Sequence, residues 1–329
     1  MRNGTVLKNY GVAADDADKN KLQEKECQAI PQYSAVGISR FCVLYDSHVP
    51  DQRTSAQSAA SKKYLCDIST ATVDKFNNRD ATMQHNIRYT AGDIEQFYRE
   101  HRITWNQFYE SERVMFERLG LAADSTVLDL GCGCGGLGLA LKERFGVADY
   151  TGVEINEQAT QTGRELYPEA CMINADVLAI PAETLPHPQF DVVVSLSCID
   201  WNLRFLDMLE TAYSYVKPGG WFLSSFRLTT APTSNDIKQS WQYINFDGKK
   251  EGEIAPYVVM NTRELVELLR SRQPETIAAY GYWGSPSATA ETPHEKICFA
   301  VAAVKKADGA ASSITEDFQL PDDVLASLS

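Results

Sequence analysis

The sequence predicts a doubly wound α/β fold built on a mostly parallel sheet, and three observations carry that prediction. From Gly120 onward, strand-like and helix-like patterns alternate. The apolar strand Thr126–Leu130 runs through Asp129 into a loop with glycine at 131, 133, 135 and 136, and then directly into a helix. Near the end, strand patterns at 276–283 and 296–304 follow one another across a Gly/Ser/Pro/Thr loop with no helix between them, which marks an antiparallel hairpin at the sheet edge.

Taken in order, residues 1–75 form a poorly defined N-terminal segment. Its readable parts are a charged stretch at 15–26, a β-branched and aromatic run at 35–45 and a Ser/Ala/Gln-rich linker at 51–63. It reads as an accessory segment, with a substrate-side cap or a homodimer arm as the sharper alternative. Residues 76–120 read as a helical cap. From Asp93 to Leu119 apolar and aromatic residues recur at three- and four-residue spacing, with a break near 102–104 and Gly120 as the stop.

Residues 121–305 form the main domain. Strands are expected at 126–130, 150–154, 170–173, 190–196 and 221–226, with helices at 137–144, 157–167 and 203–215 and a Lys217-Pro218-Gly219-Gly220 turn before the fifth strand. The run at 190–196 is almost continuously apolar, as a strand covered on both faces requires. Residues 229–261 interrupt the rhythm with Trp241, Tyr243, Phe246 and Tyr257 among polar residues, and read as a substrate-side insertion. Asn261 then caps a helix at 262–272, with Glu264 placed for a capping box. Residues 306–329, with no basic residue after Lys306, read as a solvated acidic C-terminal tail ending in a short helix.

Composition narrows the function classes. The 329 residues can bury a full core. Lys and Arg number 31 against 44 Asp and Glu, a net charge of −13, which argues against nucleic acid as the main partner. The first residues are polar and contain Asp15, Asp16 and Asp18, unlike a signal peptide, and no apolar run approaches a membrane span. With the 8 cysteines scattered, this points to reduced thiols in a cytoplasmic protein without membrane association. Cys132-x-Cys134 lacks the spacing and the second ligand pair of a metal site, and the histidines are dispersed, so no metal is expected.

Gly131, Gly133 and Gly136 satisfy G-x-G-x-x-G, the dinucleotide fingerprint. Asp129, two positions before the first glycine, suits a cationic ligand better than a pyrophosphate, and no separate substrate domain follows the sheet. The stretch Val127-Leu-Asp-Leu-Gly-Cys-Gly-Cys-Gly135 resembles the first motif of class I S-adenosylmethionine-dependent methyltransferases. Four more landmarks stand in order: Tyr150-Thr-Gly-Val-Glu154, Asn174-Ala-Asp176-Val177, the run from Phe190 to Trp201, and Val216-Lys-Pro-Gly-Gly-Trp-Phe222. The resemblance covers residues 90–305. It implies a Rossmann-like, seven-stranded sheet with an antiparallel last strand, and S-adenosyl-L-methionine as cofactor.

By that resemblance, Gly131, Gly133 and Gly135 admit the methionine part of the cofactor against the backbone, and Asp129 favours its positive side. Glu154 accepts from both ribose hydroxyls. Asp176 accepts from the adenine amino group beside the Val177 N–H, while Ile155 packs on the ring and Leu196 lines the same site. For Asp176 an ordinary Asx turn is the alternative.

Methyl transfer from a sulfonium is an in-line displacement governed largely by alignment, and a hydroxyl nucleophile also gains from a base. Asp200 is the first candidate base or substrate anchor, with a helix N-cap as its alternative. His101 is the second. Tyr89, Trp105, Tyr109, Trp201, Trp241 and Tyr243 are placed as pocket walls. Arg227 is a partner for an anionic substrate or else a surface charge. No Asn-Pro-Pro-Tyr tetrad follows the fourth strand; the sequence there is Ser197-Cys198-Ile199-Asp200. The expected function is methylation of a small organic molecule at oxygen. Methylation at nitrogen or carbon, and an NAD-type oxidoreductase, are the alternatives.

Overall fold

The computed structural model describes residues 98–245, 248–309 and 313–329. The N-terminal segment, the first part of the helical cap, Tyr89 and Phe246 lie outside the described residues. Residues 98–100 are helical, and the chain then breaks at Arg102, whose φ is +59°. A turn at Trp105–Gln107 leads into α1 (Glu110–Glu117). The break falls where the spacing of apolar residues predicts it.

Next come β1 (Thr126–Leu130), α2 (Gly136–Phe145), β2 (Asp149–Glu154), α3 (Glu157–Leu166), β3 (Cys171–Asn174), β4 (Phe190–Ser195), α4 (Phe205–Ser214) and β5 (Val216–Thr229). The five strands pair in parallel in the order β3-β2-β1-β4-β5. The Lys217-Pro218-Gly219-Gly220 stretch does not end the pairing: β5 continues through a register shift against β4, with Gly219 at φ +75°.

The insertion folds. Within it β6 (Trp241–Tyr243) and β7 (Ile254–Pro256) pair antiparallel, and β8 (Met260–Asn261) lies parallel to the end of β5. Then follow α5 (Thr262–Arg270), β9 (Thr276–Gly284), β10 (Ala290–Glu291) and β11 (Ile297–Lys305). The small strand β10 joins β6, giving a three-stranded sheet β10-β6-β7. Asn261 caps α5 through Oδ1, which accepts the Glu264 N–H at 3.2 Å, but the box runs through Thr233. Its hydroxyl donates to Glu264 at 2.5 Å and accepts the Asn261 N–H at 2.9 Å.

The hairpin is antiparallel as expected, and β11 inserts between β5 and β9, antiparallel to both. Its run of Ala and Val is buried on both faces there. The solvated-tail expectation is overturned. Residues Thr315–Gln319 form β12, parallel to β9, and α6 (Asp322–Ala326) buries Val324 completely. The acidic side chains are what permit it. Asp317 meets Arg118, Glu316 meets Arg270 and Asp323 meets Lys296, so the charges find partners on neighbouring elements.

Two apolar clusters cover the two faces of the main sheet. A third gathers Ile155, which follows β2, and Trp201, which follows β4, with Ile244, Ala255, Tyr257, Val259 and Ile297. It therefore lies past the carboxyl ends of the parallel strands, where ligands of open α/β sheets bind. Among the described residues no helix is long and apolar enough to cross a membrane.

Candidate active site

The glycine loop is held by an acid. Gly131, Gly133 and Gly135 have φ of +77°, +56° and +73°, backbone that a side chain would strain. This left-handed path turns the Gly133 N–H toward Glu154, which accepts it at Oε2 at 2.9 Å. Oε1 accepts the Asn156 N–H at 2.9 Å. Glu154 is 1% exposed, and burial pushes its carboxyl up to about 7 in spite of these donors. Asp129 is 3% exposed and accepts the Tyr150 hydroxyl at 2.7 Å. Burial pushes it up to about 7 as well, against the pull of Tyr150 and of the Arg102 charge.

The sequence marks Arg102 only as part of the helix break. It ends the polar run Arg99-Glu100-His101-Arg102, and only its left-handed turn brings it here. Its guanidinium donates to Glu112 at 2.8 Å and lies 4.5 Å from the Phe108 ring and 5.3 Å from that of Tyr109. Its carbonyl crosses α2 so closely that a Cβ on Gly136 would stand 2.2 Å from the oxygen. The Tyr98 ring lies on the loop, 3.6 Å from where a Gly133 Cβ would be. Residues 98–102 thus pass directly over the glycines, with half-buried His101 beside Arg102.

Several expected walls prove to be packing. Trp105 lies edge-on to Phe116 and Phe145, with ring centroids 6.2 and 5.3 Å apart, so it belongs to the core beside α2 rather than to a pocket. Tyr109 flanks Arg102. Strand alternation turns Gln242, not Trp241 or Tyr243, onto the buried face of β6. Gln242 is fully buried and pairs in register with Ala255 and Ala290, while its two neighbours are half-buried on the other face. On the nucleoside side, Asp176 Oδ1 accepts the Leu178 N–H at 2.9 Å, the Asx turn of the alternative reading. Val177, Ile155 and Leu196 are all buried, each in a different apolar cluster.

The set fits S-adenosylmethionine. Two buried carboxyls stand at the ends of β1 and β2, between them lies a loop with left-handed backbone at Gly131, Gly133 and Gly135, and apolar side chains follow. A pyrophosphate against the same loop would face Asp129 and Glu154 without gain.

On the other side of the third cluster, Arg227 of β5 donates from Nε to Asp200 Oδ2 at 2.8 Å, and the two side chains are 1% and 5% exposed. The guanidinium carbon lies 4.4 Å from the Trp201 ring and 3.8 Å from the Tyr257 ring. Burial pushes the Asp200 carboxyl up, against the Arg227 charge. Both bland alternatives fail. Asp200 sits in the turn Ile199–Trp201 and does not cap α4, where Asn202 Oδ1 accepts the Arg204 N–H instead; Arg227 is no surface charge. Among the described residues no group of three His, Cys, Asp or Glu could hold a metal.

Part of the chain resembles known proteins. Residues 127–220 match a family described as a methyltransferase domain. The chain is 27% identical over 135 residues to malonyl-[acyl-carrier protein] O-methyltransferase of Enterobacter lignolyticus, covering 41% of this chain and 51% of that protein. It is 26% identical over 239 residues to ribosomal protein L11 methyltransferase of Burkholderia thailandensis, covering 64% of this chain and 75% of the other. The first match thus spans about half of that relative's length. A solved glycopeptide N-methyltransferase, MtfA with S-adenosyl-L-homocysteine, aligns over 67% of this chain and 99% of its own, at 18% identity and a TM-score of 0.41.

Proposed function

The chain carries a class I S-adenosylmethionine-dependent methyltransferase domain, and from that premise we propose that it methylates a small organic acceptor, at oxygen, past the carboxyl ends of β4 and β5. The observation that supports the reading is the contact of Glu154 with the Gly133 N–H, a buried acid against the glycine loop, whose carboxyl on this reading accepts from the ribose hydroxyls. S-adenosylmethionine supplies a methyl group already activated on a sulfonium. The chain then has to align and desolvate. Glu154 and the loop hold the donor side. Ile155, Trp201 and Tyr257 exclude water between the two sides. Asp200 accepts the acceptor's proton at Oδ1, the oxygen that Arg227 leaves without a partner.

The aromatic cluster and the acidic charge balance favour a small acceptor over nucleic acid, and the same composition supports a cytoplasmic setting. Calorimetric titration with S-adenosylmethionine and with NAD tests the reading, followed by transfer of a labelled methyl group to small-molecule fractions. Micromolar binding of S-adenosylmethionine and none of NAD is expected. Tight NAD binding with no response to S-adenosylmethionine would sink it.

A further inference from the structure

Buried polar atoms rarely go without partners, because each costs about 1–3 kcal/mol when left so. Five such atoms belong to Arg227, Trp201 and Gln242, three residues in or beside the third apolar cluster. Arg227 Nη1 and Nη2 find no hydrogen-bond partner, although the side chain is 1% exposed and its Nε is satisfied. The indole Nε1 of Trp201, whose ring covers the guanidinium, also lacks a partner. So do both amide atoms of Gln242. The register of β6 sets Gln242 on the face it shares with Ala255 and Ala290, which pack in the cluster around Trp201 and Tyr257.

We propose that this is the acceptor's anchoring site and that it takes a carboxylate, seated on the two free Nη groups of Arg227 with further hydrogen bonds from Trp201 and Gln242. A guanidinium offers its Nη edge as a flat pair of donors, which a planar two-oxygen anion matches. Asp200 takes the Nε–H, and the rings of Trp201 and Tyr257 lie against the planar guanidinium, so the Nη edge is left to a ligand. Tyr257 is itself fixed: its N–H donates to the Ser240 carbonyl at 3.1 Å, and the Ser240 hydroxyl donates back to its carbonyl at 2.6 Å. The assignment rests on the methyl-transfer reading for its role as an acceptor anchor. Asp200 compensates one charge at the Arg227 Nε, and the Nη edge of Arg227 keeps two donors for the carboxylate.

The test uses acetate and benzoate as probes, with acetamide and benzamide as uncharged partners of the same shape, titrated calorimetrically into the full-length protein. At least one carboxylate should bind tenfold or more tightly than its amide. Arg227→Lys should remove that preference, since an ammonium cannot reproduce the paired donors, and Gln242→Leu should weaken carboxylate binding several-fold. If Arg227→Lys fails to fold by circular dichroism, Gln242→Leu decides. Carboxylates no better than their amides, or a preference that survives in the folded variants, would overturn the proposal. S-adenosylmethionine titrated into the same wild-type protein separates the two readings. Carboxylate preference without S-adenosylmethionine binding removes the methyl donor and leaves the anion site, and the reverse pattern removes the anion site alone.

Discussion

The two ends of the parallel strands treat their charges in opposite ways. At the amino ends, Asp191 of β4 accepts from the Thr126 N–H and hydroxyl at 2.9 and 2.7 Å and from Lys217 at 2.9 Å. Against the pull of partial burial, these donors hold its carboxyl below the usual range. At the carboxyl ends, Asp129, Glu154 and Asp200 are almost fully buried and all pushed up, and Arg227 keeps two unused donors. One end is satisfied within the protein and partly open to water. The other keeps carboxyls and donors in a dry place with their hydrogen bonding incomplete, at a cost to stability that a ligand can offset.

The largest expected effect of breaking this asymmetry lies at Glu154. Glu154→Ala removes two charge-assisted acceptors, each worth about 1.5–3 kcal/mol. S-adenosylmethionine affinity should fall at least about a hundredfold by calorimetry; a change below threefold would detach Glu154 from the donor site. Gly136→Ala comes next. Its Cβ would lie 2.2 Å from the Arg102 carbonyl, so segment and loop must part, at about 1–3 kcal/mol in denaturant unfolding.

The pH dependence is gentler and has opposite signs at the two ends. Asp129 and Glu154 bind protons more tightly folded than unfolded. Their contribution to stability is therefore greatest at low pH and declines as pH rises from about 4 to about 7, then levels off. Asp129→Asn should flatten that part of a melting-temperature profile. Asp191, with its carboxyl held low, contributes stability above about pH 4 that is lost on further acidification. S-adenosylmethionine should bind more tightly as pH rises through about 7, with proton release seen as different apparent enthalpies in two buffers. The smallest effect belongs to Asp191→Asn. Water screens this half-exposed pair, so unfolding should shift by about 1 kcal/mol or less and cofactor affinity should not change.

Much of the frame was legible in the sequence because the signals were local. The apolar runs of β1 and β4, the Asn261 cap and the break at 102–104 each state their geometry within a few residues. β12 escaped because its charges look solvated until Arg118, Arg270 and Lys296 arrive from distant elements. On β6 the conspicuous aromatics drew attention, yet alternation turned the polar Gln242 inward. Asp200 could be singled out by its place after β4 and Arg227 by its place late in β5, but their pairing across 27 positions is a product of the β4–β5 register. At Arg102 the break was legible, but its pairing with Glu112 and its crossing over Gly136 were not, because both depend on that residue's left-handed turn.

The close passage of the Arg102 carbonyl over Gly136 bears on how this chain can be trimmed. A shortened version beginning at residue 110 would keep every strand of the main sheet and so look intact on paper. It would also strip the cation from Glu112, which is 1% exposed, and bare the helix start that the carbonyl covers. Such a fragment should express poorly or need Glu112→Gln to recover, because an uncompensated buried carboxylate costs several kcal/mol. The segment before α1 is therefore part of the folding unit, and a minimal version has to start ahead of Tyr98.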